Sequence, residues 1–193
     1  MGRARAEIEG VAGTARYGAV MGELHGWTTC PRCAAPLEGS VEALSCPRCG
    51  SHYYANSAPT ASALIQDDRG RLLLGRRALE PYKGFWDTVG GFLHEGESPE
   101  AGLRREVKEE TGLDIEIRSF LGVWMDRYGE ADDAVHTINL FWVVRAAGGE
   151  LEAADDVAEL AWFEPDALPP ASELAFDAIE HVLEAWRAPR ETE

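Results

Sequence analysis

The chain has no long hydrophobic run and no recognisable signal peptide. No apolar span reaches the length of about twenty residues that a membrane helix needs. Near the N-terminus, Arg3, Arg5, Glu7 and Glu9 are followed by small residues, whereas a signal peptide continues into an apolar core. We therefore expect a cytoplasmic protein without a membrane partner.

Basic residues are also scarce. The 193 residues include 18 Lys and Arg against 34 Asp and Glu, so the formal net charge is −16. Proteins that bind the phosphate backbone of nucleic acids carry an excess of basic residues on the binding face. Arg32 and Arg48 could form a small basic patch, but the overall charge argues against a nucleic-acid partner.

The chain has only four cysteines, and they form two Cys-x-x-Cys pairs. The sequences Cys30-Pro-Arg-Cys33 and Cys46-Pro-Arg-Cys49 are separated by twelve residues, a spacing typical of a closed structural Zn²⁺ site. Two disulfides or a redox dithiol are the alternatives. The two matched pairs and the absence of a secretory signal favour zinc, and the module resembles a zinc ribbon.

Residues 91–113 read GFLHEGESPEAGLRREVKEETGL and predict a helix. Ser98 suits the N-cap and Pro99 the first helical position, while Thr111 and Gly112 offer a C-terminal exit. Apolar residues within the segment supply a modest buried stripe.

Three glutamates crowd one edge of this predicted helix. Glu106, Glu109 and Glu110 lie three or four residues apart or side by side, and the last two stand near the negative end of the helix dipole. A solvated acidic face is the simplest explanation. A hard divalent cation such as Mg²⁺ would instead relieve the repulsion by binding the carboxylate oxygens.

The same segment resembles the Nudix hydrolases, whose pattern is G-x5-E-x7-R-E-U-x-E-E-x-G-U, with U a bulky aliphatic residue. All nine specified positions match: Gly91, Glu97, Arg105, Glu106, Val107, Glu109, Glu110, Gly112 and Leu113. The resemblance implies an enzyme that uses Mg²⁺ or Mn²⁺ to hydrolyse a diphosphate linked to another moiety.

The resemblance also implies roles for individual residues. The expected metal ligands are Glu106, Glu109, Glu110 and the backbone carbonyl of Gly90. Arg105 is expected to orient a neighbouring carboxylate, and Glu97 to brace the loop against the helix.

The base that deprotonates the attacking water differs among members of the family. Glu106, Glu110 or a residue from a later loop could serve, and we favour Glu106. Asp156 and Glu159 are candidates for further ligands, with solvated turn residues as the alternative.

Substrate choice is indicated less directly. A zinc ribbon before a Nudix domain resembles NADH pyrophosphatases, but their Ser-Gln-Pro-Trp-Pro-Phe-Pro tract is absent from residues 115–130. The segment 46–54 (CPRCGSHYY), Leu79-Glu80-Pro81 before Gly84-Phe85-Trp86, and Leu174-Ala175-Phe176 more closely resemble zinc-ribbon ADP-ribose and FAD pyrophosphatases. We therefore expect a nucleoside diphosphate linked to another moiety, with ADP-ribose first and FAD or NADH next. The candidate contacts are Arg76, Arg77, Trp86, Phe92, Trp124 and Tyr128.

Two other functions stay open. One is hydrolysis of oxidised or non-standard nucleoside triphosphates, which requires a tight base pocket. The other is a non-catalytic protein that senses a ligand or binds nucleic acid, and the intact set of glutamates argues against it.

The expected fold class is α/β, a Nudix-type α/β/α sandwich with a mixed sheet, preceded by a small zinc ribbon. The expected boundaries are an undetermined segment at 1–26, the ribbon at 27–55 and the hydrolase domain at 56–193. Apolar spacing predicts a final helix over residues 171–186. The resemblance is compatible with a homodimer.

Overall fold

The computed structural model describes residues 23–129 and 134–188. Most of the N-terminal segment expected at 1–26 lies outside the described residues. Neither helix in the described part of the chain is long and apolar enough to cross a membrane.

A small three-stranded sheet contains the cysteine pairs. Its antiparallel strands are β1 (Glu38–Gly39), β2 (Ala43–Ser45) and β3 (His52–Tyr54), in that order. Its core is small and consists of Cys30, Ala35 and Cys46, with Cys33, Leu37 and Tyr53 packed against it. Such a small core supplies little stability by itself, so this module requires another stabilising contribution.

The second sheet has seven strands: β4 (Ala58–Gln66), β5 (Leu72–Arg77), β6 (Trp86–Asp87), β7 (Val89–Phe92), β8 (Leu113–Tyr128), β9 (Val135–Gly149) and β10 (Val157–Phe163). The main order is β10-β5-β4-β9-β8, with β6 paired to β5 and β7 paired to β4. Strands β4 and β9 run parallel, and the other pairs are antiparallel. The mixed sheet predicted from the sequence is therefore confirmed.

Helix α1 (Pro99–Thr111) begins and ends with the predicted caps. The Ser98 hydroxyl accepts a hydrogen bond from the backbone N–H of Ala101, and Pro99 occupies the first turn. At the other end Gly112 adopts a left-handed conformation, with φ of 71°, and donates its N–H to the carbonyl of Lys108.

The final helix is shorter than the sequence pattern predicts. A 3-10 turn at Ala171–Glu173 is followed by extended backbone, and helix α2 covers only Asp177–Arg187. The interruption occurs because Leu174 bridges to Trp86 and Ala175 donates its N–H to the Trp86 carbonyl. The prediction of one helix over residues 171–186 was wrong at its start.

The two helices cover opposite faces of the large sheet. Because side chains alternate along a strand, Ala61, Ala63 and Ile65 of β4 pack in the core cluster that includes α1, whereas Leu64 packs in the cluster that includes α2. This arrangement is the predicted α/β/α sandwich.

Candidate active site and metal centres

Two successive glycines of β7 bring the sheet close to the carboxylates of α1. Gly90 donates its N–H to Glu110 at 2.9 Å. A Cβ on Gly90 would lie 2.3 Å from the Ala61 carbonyl oxygen, and one on Gly91 would lie within 2.7 Å of the Glu106 carboxyl group. A Cβ at Gly90 would therefore collide with the backbone of strand β4, and a Cβ at Gly91 would displace the Glu106 carboxyl group.

Glu110 is the most enclosed of the three glutamates. It is only 5% exposed, and burial raises its pKa well above the usual range. The neighbouring Asp156 carboxyl group raises this pKa further, while the Gly90 N–H lowers it. Glu106 is also mostly enclosed, with a pKa raised by burial. A cation bound at this point would offset the cost of keeping these carboxylates ionised.

Arg105 connects three carboxylates. Its guanidinium donates to Glu97 at 2.9 Å, to Glu106 at 2.7 Å and to Glu109 at 3.0 Å. The hydrogen bonds from Arg105 lower the pKa of Glu97 to about 2. Glu109 is about half-exposed, so its carboxylate lies at the rim and not beside Glu110.

A small acidic pocket lies next to Glu110. It is lined by Gly75, Arg77, Asp87, Thr88, Gly90, Glu110, Asp156 and Val157. Within it, Arg77 forms an ion pair with Asp87 at 3.0 Å, and both side chains are largely buried. Burial raises the pKa of Asp87 to about 6, since it outweighs the attraction of the Arg77 charge.

A larger aromatic cavity adjoins the acidic pocket and shares Arg77, Asp87, Thr88 and Gly90 with it. The cavity lies between the α2 face of the sheet and the start of α2. Its other lining residues are Thr60, Ser62, Gly91, Phe92, Asp126, Tyr128, Thr137, Asn139, Phe141, Phe176, Ala178 and Ile179. The combination of aromatic walls, a few polar groups and adjoining carboxylates is typical of a site for a small organic ligand.

Three of the predicted substrate contacts line this cavity. The Tyr128 ring stacks on Phe176 with centroids 5.9 Å apart and meets Phe92 edge-on at 5.2 Å. The Arg77 guanidinium lies 5.6 Å from the Tyr128 centroid and 5.3 Å from the Phe176 centroid.

The other three predicted contacts do not line the cavity. Trp86 is 5% exposed in the core beneath α2, with its ring edge-on to Phe163. Arg76 lies over the Trp86 ring and pairs with Glu159 at the surface. Trp124 packs in the same core as Trp86. These residues contact protein where the sequence interpretation expected substrate.

Sequence reasoning missed three residues of this site. Asp87, Asp126 and Phe176 all line the cavity, although none was a candidate. Phe176 was part of the Leu174-Ala175-Phe176 resemblance, so a signal for it was present.

Asp156 was a candidate ligand and contributes to the pKa of Glu110, whereas Glu159 is turned toward Arg76.

The three glutamates supply the oxygen donors that Mg²⁺ prefers, but their oxygens are not gathered around a single point in this structure. Among the described residues, the four cysteines are the group whose ligand atoms all lie within 4.8 Å of one another. Glu106 and Glu110 meet the β7 glycines, while Glu109 is held by Arg105. The carboxylate oxygens are suitable donors for a divalent cation, and such a cation would offset the cost of burying their negative charge.

The cysteine cluster has the dimensions of a zinc site. The Sγ atoms of Cys30 and Cys49 are 3.7 Å apart, and those of Cys33 and Cys46 are 3.5 Å apart. A tetrahedral Zn²⁺ with Zn–S bonds of about 2.3 Å requires sulfur separations of about 3.8 Å. The Tyr53 hydroxyl lies 3.3 Å from the Cys30 Sγ and would support that ligand. The four cysteines could therefore hold zinc.

Comparison with known sequences gives a consistent family match. A family model described as the NUDIX domain matches residues 56–184. A protein named ADP-ribose pyrophosphatase from Methanocaldococcus jannaschii is 37% identical over 124 residues, which cover 64% of this chain and 70% of that protein. A protein named NAD-capped RNA hydrolase NudC from Chromobacterium violaceum is 29% identical over 170 residues, covering 84% and 61% of the two chains. This chain thus spans less than two thirds of that second protein.

Solved structures show the same fold. The crystal structure of a NUDIX hydrolase from Nitrosomonas europaea aligns with a TM-score of 0.69 at 21% identity, covering 82% of this chain and 89% of that one. The crystal structure of a MutT NUDIX hydrolase from Burkholderia pseudomallei aligns with a TM-score of 0.59 at 29% identity, covering 67% and 98%.

Proposed function

Because this chain belongs to the Nudix hydrolase family, we propose that it hydrolyses the diphosphate bond of a nucleoside diphosphate linked to another moiety, with ADP-ribose as the preferred substrate. The products are two phosphate monoesters. FAD and NADH are further substrates of the same class, and the relatives named above include both an ADP-ribose pyrophosphatase and NAD-capped RNA hydrolases.

The observation that carries this proposal is the position of Glu110 and Glu106. Both glutamates meet the β7 glycines, and Glu110 lies in an acidic pocket that opens onto an aromatic cavity. A nucleotide whose base occupies the cavity would place its phosphates near these carboxylates and near Arg77. The aromatic cavity thus suits the base of the proposed substrate, and the acidic pocket with a bound cation suits its diphosphate.

Glu106, Glu109, Glu110 and the Gly90 carbonyl would hold the Mg²⁺ or Mn²⁺, with Glu109 doing so once it turned away from Arg105. When bound, the cation neutralises the diphosphate and lowers the pKa of a coordinated water. Asp156 lies close enough to Glu110 to contribute a further carboxylate.

Glu106 accepts the proton of the attacking water in this proposal. Glu110 is the alternative proton acceptor. Arg105 is a positioning residue because it holds Glu106 and Glu109, and Glu97 fixes Arg105 from the loop before the helix.

Other residues of the chain bind the substrate and a structural metal. Arg77 contacts a substrate phosphate, and Phe92 and Tyr128 contact the base. The segment 27–55 is a zinc ribbon whose cysteines bind structural Zn²⁺, and 56–193 is the hydrolase domain. A homodimer and a cytoplasmic location, where thiols stay reduced, complete the proposal.

A second candidate function is hydrolysis of oxidised or non-standard nucleoside triphosphates. It is favoured by the cavity itself, which is lined by the aromatic and polar side chains that a base pocket requires. The same carboxylates would serve that reaction, so only the preferred substrate distinguishes the two functions.

A substrate panel tests the proposal. Purified protein with Mg²⁺ is assayed on ADP-ribose, FAD, NADH, diadenosine polyphosphates and non-standard triphosphates. We expect the highest kcat/KM for ADP-ribose, and Glu106→Gln should lower kcat by at least about 100-fold because it removes the proton acceptor. Glu100→Gln is the matched control, since this exposed glutamate lies in the first turn of the same helix.

Two results would contradict the proposal. Absence of turnover across the whole panel would exclude the hydrolase function, and full activity of Glu106→Gln would exclude the assigned role of Glu106. A strong preference for a triphosphate would instead support the second candidate function.

A further inference from the structure

Asp126 is the carboxylate that lies in the wall of the aromatic cavity away from the acidic pocket. It belongs to the end of β8 and does not line the acidic pocket, which contains Arg77, Asp87, Glu110 and Asp156. A nucleotide with its phosphates at the acidic pocket would therefore present its base, and not its phosphates, to Asp126.

The position of Asp126 is fixed from two sides. One carboxylate oxygen accepts the N–H of Arg127 at 2.7 Å, and the other accepts the N–H of Ala178, in the first turn of α2, at 2.9 Å. Both donors are backbone groups, and each carboxylate oxygen can accept a second hydrogen bond. The carboxylate is thus held in place and retains the capacity to accept one from a ligand.

Asn139, Thr60 and Thr137 also line the cavity and are already paired with one another. The Asn139 amide oxygen accepts from the Thr60 hydroxyl at 2.7 Å, and its amide nitrogen donates to the Trp124 carbonyl and the Thr137 hydroxyl. The amide donors of Asn139 are therefore occupied. In contrast, the Asp126 carboxylate can accept an additional hydrogen bond from a donor on a ligand.

Burial raises the pKa of Asp126, and the Ala178 N–H partly opposes this effect. An ionised carboxylate in such surroundings is poorly solvated, so it gains more from an N–H donor than an exposed carboxylate would. A base edge without an N–H would leave it without that gain, and a carbonyl oxygen placed there would be repelled.

We propose that Asp126 is a specificity-determining residue that accepts a hydrogen bond from an N–H on the edge of a purine base stacked against Tyr128 and Phe176. This inference rests on the proposed function for the identity of the ligand as a nucleotide. It adds the chemical feature by which the cavity selects the base, namely a donor on the base edge.

Binding of nucleoside monophosphates tests this role without requiring catalysis. AMP carries an exocyclic amino group, whereas purine riboside 5′-monophosphate has the same ring system, ribose and phosphate without a donor on the base edge. Dissociation constants are measured by calorimetry in the presence of Mg²⁺. We expect AMP to bind the wild-type protein about 10-fold or more tightly than the analogue.

Asp126→Asn should reduce this ratio to near one. The amide oxygen can still accept the Ala178 N–H, whereas the amide nitrogen cannot accept the Arg127 N–H and introduces a donor into the cavity. Asp177→Asn is the matched control because Asp177 is the exposed neighbour of Ala178 in the same turn, and it should keep the wild-type ratio. Both ligands are measured on one preparation, so a reduced folded fraction cancels from the ratio.

Phe176→Leu separates stacking from base selection. Loss of the ring should weaken both ligands by a similar factor and leave their ratio unchanged. Equal affinity of the wild-type protein for AMP and the analogue would overturn the role of Asp126, as would an unchanged ratio in Asp126→Asn. A wild-type protein that discriminates between the ligands but hydrolyses nothing would instead overturn the proposed function alone.

Discussion

At the scale of single residues, Asp87 combines burial with a charged partner. Its carboxyl group is only 17% exposed and lies 3.0 Å from the Arg77 guanidinium. Its pKa is nevertheless raised to about 6, so the folded state holds the proton more tightly than the unfolded chain does. Stability contributed in this way is present at low pH and is lost as the pH rises through about 6.

This linkage predicts a pH-dependent effect of Asp87→Asn. Between pH 4.5 and 7.5 the wild-type protein should lose about 2 kcal/mol of unfolding free energy relative to the variant, because the asparagine does not ionise. Urea denaturation without Mg²⁺ at several pH values measures the difference. Asp68→Asn, at an exposed turn position where the carboxylate lies 3.7 Å from Arg145, should show no such trend. A constant difference between wild type and Asp87→Asn would contradict the raised pKa.

Residues whose positions are set by one helix could be predicted from the sequence. The spacing of Glu106, Glu109 and Glu110, together with the caps at Ser98 and Gly112, determines where these carboxylates lie on α1. Trp86 could not be placed in the same way. Whether an aromatic strand residue faces the core or a cavity depends on the register of the strand, and its neighbour Leu174 is distant in sequence.

At the scale of elements, the ribbon and the large sheet have separate cores. The cysteine cluster packs against Leu37 and Tyr53, and neither residue belongs to the two clusters of the large sheet. Zinc would then stabilise the ribbon locally, while the carboxylate site would depend on the packing of α1 against the sheet.

Cys46→Ser tests this separation of roles. We expect one zinc per wild-type chain by atomic spectroscopy and little zinc in the variant, because three thiolates hold the metal less tightly than four. Mg²⁺-dependent hydrolysis should change less than about 3-fold if the ribbon folds separately. Ser45→Ala, which alters the adjacent residue without removing a thiolate, should retain its zinc. Equal zinc content in Cys46→Ser would argue against a four-cysteine site.

The aromatic cavity could not be predicted from the sequence, because segments that are distant along the chain form it. Its walls come from strands β4 to β9 and from the start of α2, and no local motif relates these segments. Strands β8 and β9 are rich in β-branched and aromatic residues, which favour extended backbone. That their ends would meet α2 to form a cavity follows only from the sheet order.

At the scale of the whole molecule, the net charge of −16 opposes the approach of an anionic nucleotide. Salt screens this repulsion, with a Debye length that falls from about 30 Å at 0.01 M to about 10 Å at 0.1 M. At saturating Mg²⁺ we expect the KM for ADP-ribose to fall as NaCl rises over this range, while kcat stays constant. A KM that increases with salt would show that local cations such as Arg77 dominate the approach.

The parallel pairing of β4 with β9 determines when the site can form during folding. Thr60 and Asn139, which are adjacent across this pairing, are 79 residues apart in the chain. Helix α1 can form from local contacts, but closing so long a loop is slow and must precede completion of the cavity. During synthesis, a nascent chain therefore carries the glutamates long before it acquires the walls that would hold a nucleotide. Hydrolytic activity should emerge late, after β9 and α2 have left the ribosome.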